Sequence, residues 1–467
     1  MIKFGTSGWR GVIGEDFTFD QVRIATQGIC NYLRNSGASP EDGVVIGYDT
    51  RFLSEKFAAE AAKILAYNDF RALLCSRDLP TPAVSFETVR RKAIGAINFT
   101  ASHNPPEYNG LKFSTANGAP ALPEVTQAIE KEINAVESTG EQIDVYRKDE
   151  LIKMIDPRER YIERIGELVD ADILTRSGLR IGVDSLYGTA REYLDFFLLS
   201  SDVSVRIIHN YRDPYFGGFS PECNQKNLGE LRKLVVADGL DLGLATDGDA
   251  DRFGVVDHRG RFVSPNLVIA LLALYLKRHK NVPGGLARSV ATTHIIDRIG
   301  DALQIPVYET PVGFKYIGEL ILEDAIALGG EESAGLSIHG HLPEKDGILA
   351  CLLVAEMVAV TGKTIPQLTR DLYDEFGTHV SKRIDLRLTG PLQESLDRKL
   401  AQLPSELAGL KVASVETTDG VKLIFDDRTW LLFRFSGTEP VARIYGEACG
   451  PKELKRLLDA GRAFIRG

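Results

Sequence analysis

Short β-type runs alternate with helical patterns along most of this chain. That alternation restricts it to α/β units with largely parallel strand pairing. Val44-Val45-Ile46-Gly47 reads as strand, and residues 54–67 (SEKFAAEAAKILAY) read as helix. Ile181-Gly182-Val183 opens a second unit, followed by a helical stretch over residues 190–199. Ser289-Val290-Ala291-Thr292-Thr293 opens a third, although no strict sequence repeat relates the three. From about Thr364 the pattern becomes helix (364–376), strand (384–388), helix (390–403), strands through 421–434 and helix (452–465). A chain of 467 residues exceeds one comfortable core. The expected architecture is therefore three similar α/β domains with mixed, largely parallel sheets, plus a smaller C-terminal α+β domain. Boundaries near Asp156, Gly254 and Lys363 give domains 1–155, 156–254, 255–363 and 364–467.

Charge and cysteine content narrow the function classes. A formal charge of −10 argues against a nucleic-acid partner, while a negative total can still contain a basic cleft for an anionic substrate. The five cysteines are scattered, odd in number and without a CxxC, which argues against zinc and against a disulfide framework. They read as reduced core thiols of a cytoplasmic protein. The N-terminus shows a polar, Gly-rich segment and no signal-peptide core, and no apolar run approaches the ~20 residues of a membrane span. The expected partners are small molecules, with no nucleic acid and no membrane, in a monomer or homodimer.

Four polar loops interrupt this framework. Thr100-Ala101-Ser102-His103-Asn104-Pro105 sets a lone serine between an apolar run and a Pro-Pro stop, so its hydroxyl is expected to be exposed in a turn. Thr246-Asp247-Gly248-Asp249-Ala250-Asp251-Arg252 places three carboxylates at alternate positions. At ~4–5 Å each pair repels by ~1–4 kcal/mol, a cost that a divalent cation removes. All-oxygen ligands favour magnesium over zinc. An EF-hand is excluded, because Arg252 stands where its Gly belongs and His258 where its Glu belongs. Gly329-Gly330-Glu331-Glu332-Ser333-Ala334-Gly335 suits hydrogen bonding to vicinal sugar hydroxyls. Arg434-Phe435-Ser436-Gly437-Thr438-Glu439-Pro440, with Arg443 beyond, has the arginine forks and hydroxyls of a phosphate cradle.

Together with Phe4-Gly5-Thr6-Ser7-Gly8-Trp9-Arg10-Gly11 and Gly47-Tyr48-Asp49-Thr50-Arg51, these loops resemble the α-D-phosphohexomutase family over the whole chain. That resemblance implies four domains around a central active-site cleft. It implies a phosphoryl-carrying Ser102, and magnesium on Asp247, Asp249, Asp251 and Ser102. It implies sugar recognition by Glu331 and Ser333, and a phosphate site at Arg434, Ser436, Gly437, Thr438 and Arg443. Lys112 and Lys345 correspond to family lysines proposed for proton transfer, and Lys315 to a substrate-contacting loop. The ammonium of Lys112 would need a lowered pKa, which Arg10 and the metal could supply. His103 either hydrogen-bonds the phosphoryl group or shapes the turn. Arg252 either pairs with the phosphoserine or braces the metal loop.

The implied reaction is reversible phosphoryl transfer between the 1- and 6-positions of a hexose, through a hexose 1,6-bisphosphate that also serves as activator. Glu332 at the middle of the sugar loop leans toward glucose phosphates over the mannose and glucosamine alternatives. Gly437 and Ala334 depart from residues common among relatives without removing a functional group. The proline-poor segment Phe219-Ser220-Pro221-Glu222-Cys223-Asn224 receives no function. A haloacid-dehalogenase-like phosphatase using Asp247 would leave the other loops idle. A P-loop kinase is excluded, since Met357 occupies the first Gly position ahead of Gly362-Lys363-Thr364. A non-catalytic sugar-phosphate binder would not need the serine and all three aspartates.

Overall fold

The computed structural model describes residues 2–5, 8–140, 143, 148–388, 399–400, 402–425, 429–435 and 441–466. The first sheet has six strands in the order Trp9–Val12, Tyr108–Thr115, Gly95–Phe99, Val44–Tyr48, Ala72–Cys75 and Ile152–Ile155. Its inner pairs are parallel, and Tyr108–Thr115 returns antiparallel to Gly95–Phe99. The second sheet runs Phe262–Val263, Phe253–Asp257, Leu242–Thr246, Arg180–Asp184, Ser204–Ile208, with Phe253–Asp257 antiparallel to Leu242–Thr246. In the third, Val307–Thr310, Gly285–Ser289 and Ile326–Glu331 are parallel, and Gly335–Ile338 turns back on Ile326–Glu331. The fourth sheet is wholly antiparallel (Val380–Arg387, Val441–Ala448, Trp430–Phe435, Val421–Ile424, Ser414–Glu416), and the helix Pro451–Arg466 packs on it.

This topology explains where the polar loops lie. Each of the first three joins a strand to its antiparallel return strand: 100–107 in the first sheet, 247–252 in the second and 332–334 in the third. In the fourth sheet the same kind of connection links Trp430–Phe435 to Val441–Ala448. The structural repeat is thus a hairpin at one end of each sheet, a pattern that leaves no strict repeat in sequence. Ligand sites in open α/β sheets gather at such strand ends.

The helix Gly347–Thr361 ties the domains together. It is buried on nearly every face and contacts both Leu242–Thr246 and Phe253–Asp257 of the second domain, as expected of a helix apolar all round. One hydrophobic cluster accordingly runs through Val45 and Leu73, Ile181 and Leu244, Leu286 and Leu349. Among the described residues no single helix is long and apolar enough to cross a membrane.

Several expectations change. The strand Phe253–Asp257 runs through Gly254 and its sheet continues to Val263, so the second boundary moves from 254 to about Ser264. The helix Ile365–Phe376 packs on Pro265–Arg278 and Ile295–Leu303, which moves the third boundary from 363 to beyond Phe376. The helix expected over 190–199 begins only at Leu194. Thr189 N–H instead bonds Gly248 O at 3.0 Å, and a Cβ on Gly188 would lie 2.7 Å from the same oxygen. Tertiary contact with the metal loop thus overrides helical propensity there. The third unit's strand is Gly285–Ser289, and the β-branched run after it forms a turn closed by a Ser289–Thr292 hydroxyl pair at 2.9 Å. Most of the helix expected over 390–403 lies outside the described residues, as do Thr6 and Ser7. Of the five thiols, four are buried as core residues and Cys449 is exposed.

Gly347 shows how tightly helix and metal loop fit. A Cβ there would sit 2.3 Å from Arg252 O and 2.9 Å from Ala250 O, and its own N–H bonds Ala250 O at 3.1 Å. Backbone cannot swing aside as a side chain can, so Gly347→Ala is expected to destabilise by about 1–3 kcal/mol. Thermal unfolding followed by circular dichroism checks this, and an unchanged midpoint would reject the close fit.

Candidate active site

One cavity of about 450 Å³ is walled by residues of all four domains, including residues of the first three connections and of the two fourth-sheet strands Trp430–Phe435 and Val441–Ala448. Arg10, His103 and Lys112 come from the first domain and Arg252 from the second. Lys315, Glu331, Ser333 and Lys345 come from the third, and Arg434 and Arg443 from the fourth. The structure therefore brings together the predicted residues that it describes. Ser436, Gly437 and Thr438 lie outside the described residues.

Ser102 is 1% exposed, contrary to the expectation of an exposed hydroxyl. It adopts φ 51°, unusual for a non-glycine residue, and its loop is covered by the metal loop. A Cβ on Gly248 would lie 2.9 Å from Ser102 O. The Ser102 hydroxyl donates to Asp247 Oδ2 at 3.0 Å and lies 3.3 Å from His103 Nδ1. The loop is held from beneath by the fully buried Arg51. Its guanidinium donates to the carbonyls of Ser102 (2.6 Å), Asn104 (2.7 Å), Pro105 (2.7 Å) and Tyr108 (2.9 Å), and pairs with Asp49 at 3.1 Å. Five donors in a rigid fork suit this task, and lysine could not perform it.

Asp247, Asp249 and Asp251 are all buried, and one oxygen from each lies within 4.8 Å of the others. Lys112 Nζ is 2.6 Å from Asp249 and 3.0 Å from Asp251, and Lys345 Nζ is 3.0 Å from Asp251. Thr81 Oγ1 donates to Asp249 Oδ2 at 2.6 Å. The Oδ1 atoms of Asp249 and Asp251 are buried without a hydrogen-bond partner. Unsatisfied buried carboxylate oxygens beside a serine hydroxyl form an all-oxygen set that fits a hard divalent cation such as magnesium.

The electrostatics differ around the cluster. Burial alone would raise the Asp251 carboxyl, but Lys112 and Lys345 outweigh it and hold that group far below the usual range. Asp247 has no lysine partner, and burial with the neighbouring Asp251 and Asp249 pushes it well up. Burial works against the charge on Lys112, yet Asp249 and Asp251 more than offset it, so the ammonium is raised where a lowered one was expected. Arg10, which donates to Asn104 Oδ1 at 2.6 Å, is lowered to about 10 by burial and by Arg252. His103 is held neutral by burial, Arg252 and Arg10.

Elsewhere in the cavity lining, Glu331 Oε1 accepts the N–H of Gly313 at 2.7 Å, two residues before Lys315. Burial, then the adjacent Glu332, push Glu331 up to about 7. Glu332 accepts from the Ser289 hydroxyl at 3.2 Å. Lys3, Glu222 and Arg383 also line the cavity. Sequence reasoning missed them, together with the supporting roles of Arg51 and Thr81. Only Arg51 and Glu222 stood in segments already singled out. The rest are single charged or polar residues in elements with no local signature.

Comparison with known proteins agrees with this arrangement. Sequence models of the phosphoglucomutase/phosphomannomutase domains match in order: alpha/beta/alpha domain I over residues 1–140, domain II over 159–260, domain III over 264–376 and the C-terminal domain over 393–463. A phosphoglucomutase/phosphomannomutase of Thermococcus kodakarensis is 32% identical over 98% of this chain and 97% of its own. A Methanothermobacter thermautotrophicus protein, provisionally assigned as a phosphoglucosamine mutase, is 30% identical over 99% and 97%. A crystal structure from Thermus thermophilus, provisionally assigned as a phosphomannomutase, superposes with TM-score 0.86 at 36% identity, covering 100% of this chain and 99% of that one.

Two outcomes follow from the site's charges. Asp249→Asn is expected to weaken magnesium binding at least about tenfold, and an unchanged titration by calorimetry would remove Asp249 from the ligand set. Glu331 has a folded pKa raised above its unfolded value. Its contribution is present at low pH and lost as pH rises through about 7. The thermal midpoint of Glu331→Gln should therefore gain on the wild type between pH 5 and pH 8, and parallel pH profiles would contradict the assignment.

Proposed function

The chain belongs to the phosphoglucomutase/phosphomannomutase family of phosphohexomutases, and we propose that its preferred reaction is the interconversion of glucose 1-phosphate and glucose 6-phosphate through a phosphoserine at position 102. The observation that carries the phosphoserine reading is the Ser102 hydroxyl bonded to Asp247, next in the chain to His103, which lines a cavity together with Arg10, Lys112 and Arg252. Phosphorylation would give that oxygen about −1.5 to −2 charges. Asp247, Asp249, Asp251 and Ser102 would hold magnesium, which when bound supplies charge compensation to the phosphoryl oxygens.

The chain's own groups account for the other requirements. Arg434 and Arg443 hold the phosphate that is not reacting, Lys315 contacts the substrate, and Arg252, beside Asp251 in the metal loop, stands ready to pair with the phosphoserine or brace that loop. Glu331 and Ser333 orient the ring through its hydroxyls. A free sugar hydroxyl attacks the phosphorus, the bond to Ser102 Oγ breaks, and a hexose 1,6-bisphosphate results. The sugar turns over, and Ser102 takes back the other phosphate. The protonated Lys112 fits the acid that returns a proton to Ser102 Oγ. To act as base, it must first part from Asp249 and Asp251. His103 is neutral and its Nδ1 lies 3.3 Å from the serine oxygen, so in the Nδ1–H tautomer it can donate a hydrogen bond there. Lys345 supplies the corresponding ammonium on the third-domain side. The glucose preference rests on Glu332 in the sugar loop. The four buried thiols are in keeping with a cytoplasmic setting.

Ser102→Ala should lower turnover more than about 10³-fold while leaving hexose-phosphate binding largely intact. The check is a coupled assay of glucose 1-phosphate conversion with magnesium and a trace of glucose 1,6-bisphosphate, alongside titration calorimetry. Near-normal turnover by the variant would eliminate Ser102 as the phosphoryl carrier. Faster wild-type turnover of mannose or glucosamine phosphates would overturn the glucose preference.

A further inference from the structure

The bend at Val312-Gly313, which leads into the helix Phe314–Leu322 carrying Lys315, is fastened to two other parts of the site. Gly313 N–H bonds Glu331 Oε1 at 2.7 Å, within the third domain. The adjacent Val312 N–H bonds Asp419 Oδ2 of the fourth domain at 2.9 Å. That same oxygen accepts from Arg434 Nε, also at 2.9 Å. The side chain of Val312 packs on a cluster built by Val290 and Ala291 of the third domain with Trp430 and Tyr445 of the fourth.

Asp419 is itself held firmly. It lies in the turn between Ser414–Glu416 and Val421–Ile424. The next residue, Gly420, has φ 99°, and a Cβ there would meet Phe433 O at 2.4 Å. The carboxylate therefore sits against the strand that presents Arg434. Its charge opposes anion binding at the neighbouring arginine, so affinity for phosphate is not what it supplies. What it supplies is direction. A charge-assisted bond to Nε fixes the guanidinium plane, and the second bond fixes the backbone two residues before Phe314 and three before Lys315.

We propose that Asp419 is a positioning residue that locks the phosphate-holding Arg434 of the fourth domain to the bend that leads to Lys315 in the third, so that grip on the phosphate and contact with the sugar form as one unit. The inference rests on the mutase reading for the identity of the ligand. It makes the two recognition elements interdependent although they come from separate domains.

The test is a double-mutant cycle on KM for glucose 1-phosphate, in the full-length enzyme with magnesium. In the wild-type background, Lys315→Ala and Arg434→Ala together should raise KM by clearly less than the product of their separate effects. In an Asp419→Ala background the two effects should multiply. Asp419→Ala alone should raise KM about ten- to a hundredfold with a smaller change in kcat. Asp419→Asn keeps an acceptor for Val312 but loses the charge beside Arg434, so it should fall between, and it carries the test if the alanine variant does not fold. Multiplying effects in the wild-type background would overturn the proposal, as would an Asp419→Ala enzyme that loses thermal stability while keeping KM within twofold. A wild type inactive on every hexose phosphate would instead count against the mutase reading. Hydrogen exchange of the segment 310–316 then tests the lock without turnover. Inorganic phosphate should slow its exchange in the wild type and not in Asp419→Ala, and equal slowing in both would overturn the lock.

Discussion

The structure depends on the neutralisation of three buried carboxylates. Asp247, Asp249 and Asp251 project from one short turn of the second domain into a space from which water is excluded. Their charge cannot be buried unpaired. Lys112 of the first domain and Lys345 of the third supply the partners, both within 3.0 Å of Asp251. Removing one partner from such a cluster strands a buried charge at a cost of about 3–5 kcal/mol. The acids thus act as the junction of three domains as well as a candidate metal site. The formal charges also balance in two states. Three aspartates oppose Lys112, Lys345 and Arg252. A phosphoserine of about −1.5 to −2 with a divalent cation would add nearly nothing to that sum.

Geometry follows from topology. Every described sheet that faces the cavity ends in a strand and its antiparallel return, and in the first three the connection between them brings its polar residues to the site. A parallel strand would have to leave through a helix on a face of the sheet, taking the chain away from the cleft. The return strand keeps the chain at the strand end, so hairpins of the first three domains meet at a cavity that Arg434 and Arg443 of the fourth also line. Their backbones are then fixed by contacts that no local pattern specifies. Arg51 reaches three carbonyls of the serine loop and that of Tyr108 just after it, Gly188 lies beneath the metal loop, and Gly347 abuts the backbone of residues 250–252.

That division separates what was legible in the sequence from what was not. The loops were legible because each is a polar interruption between apolar strands, with carboxylates, hydroxyls or arginines at spacings that suit one chemistry. The helix Ser54–Tyr67 was read to the residue, because its apolar stripe and its ends agree with its packing. The stretch 190–193 and the run Val290–Thr293 were misread, because contacts with a distant loop and a local hydroxyl pair overrule their propensities. The burial of Ser102 and the raised ammonium of Lys112 depend on residues about 140 positions away. Glu222, Arg383 and Asp419 reach the site across domain boundaries, where sequence spacing carries no information.

A sugar that reacts first by one end and then by the other places an unusual demand on a protein, because the site must serve two poses with one set of groups. The cluster around Asp251 meets that demand in a simple way. Its Oδ2 atom takes Lys112 from one side and Lys345 from the other, each at 3.0 Å, so an ammonium stands on both flanks of the serine–aspartate edge. In the same cavity, the Glu331 carboxyl is pushed up to about 7 by burial and Glu332. A carboxyl in that range can accept or donate a hydrogen bond to a ring hydroxyl, whichever way the ring lies. On the proposed reading, fixed cations and an adaptable acid in one cavity would let phosphate position be strict while ring orientation stays free, which is the combination a 1,6-interconversion would require.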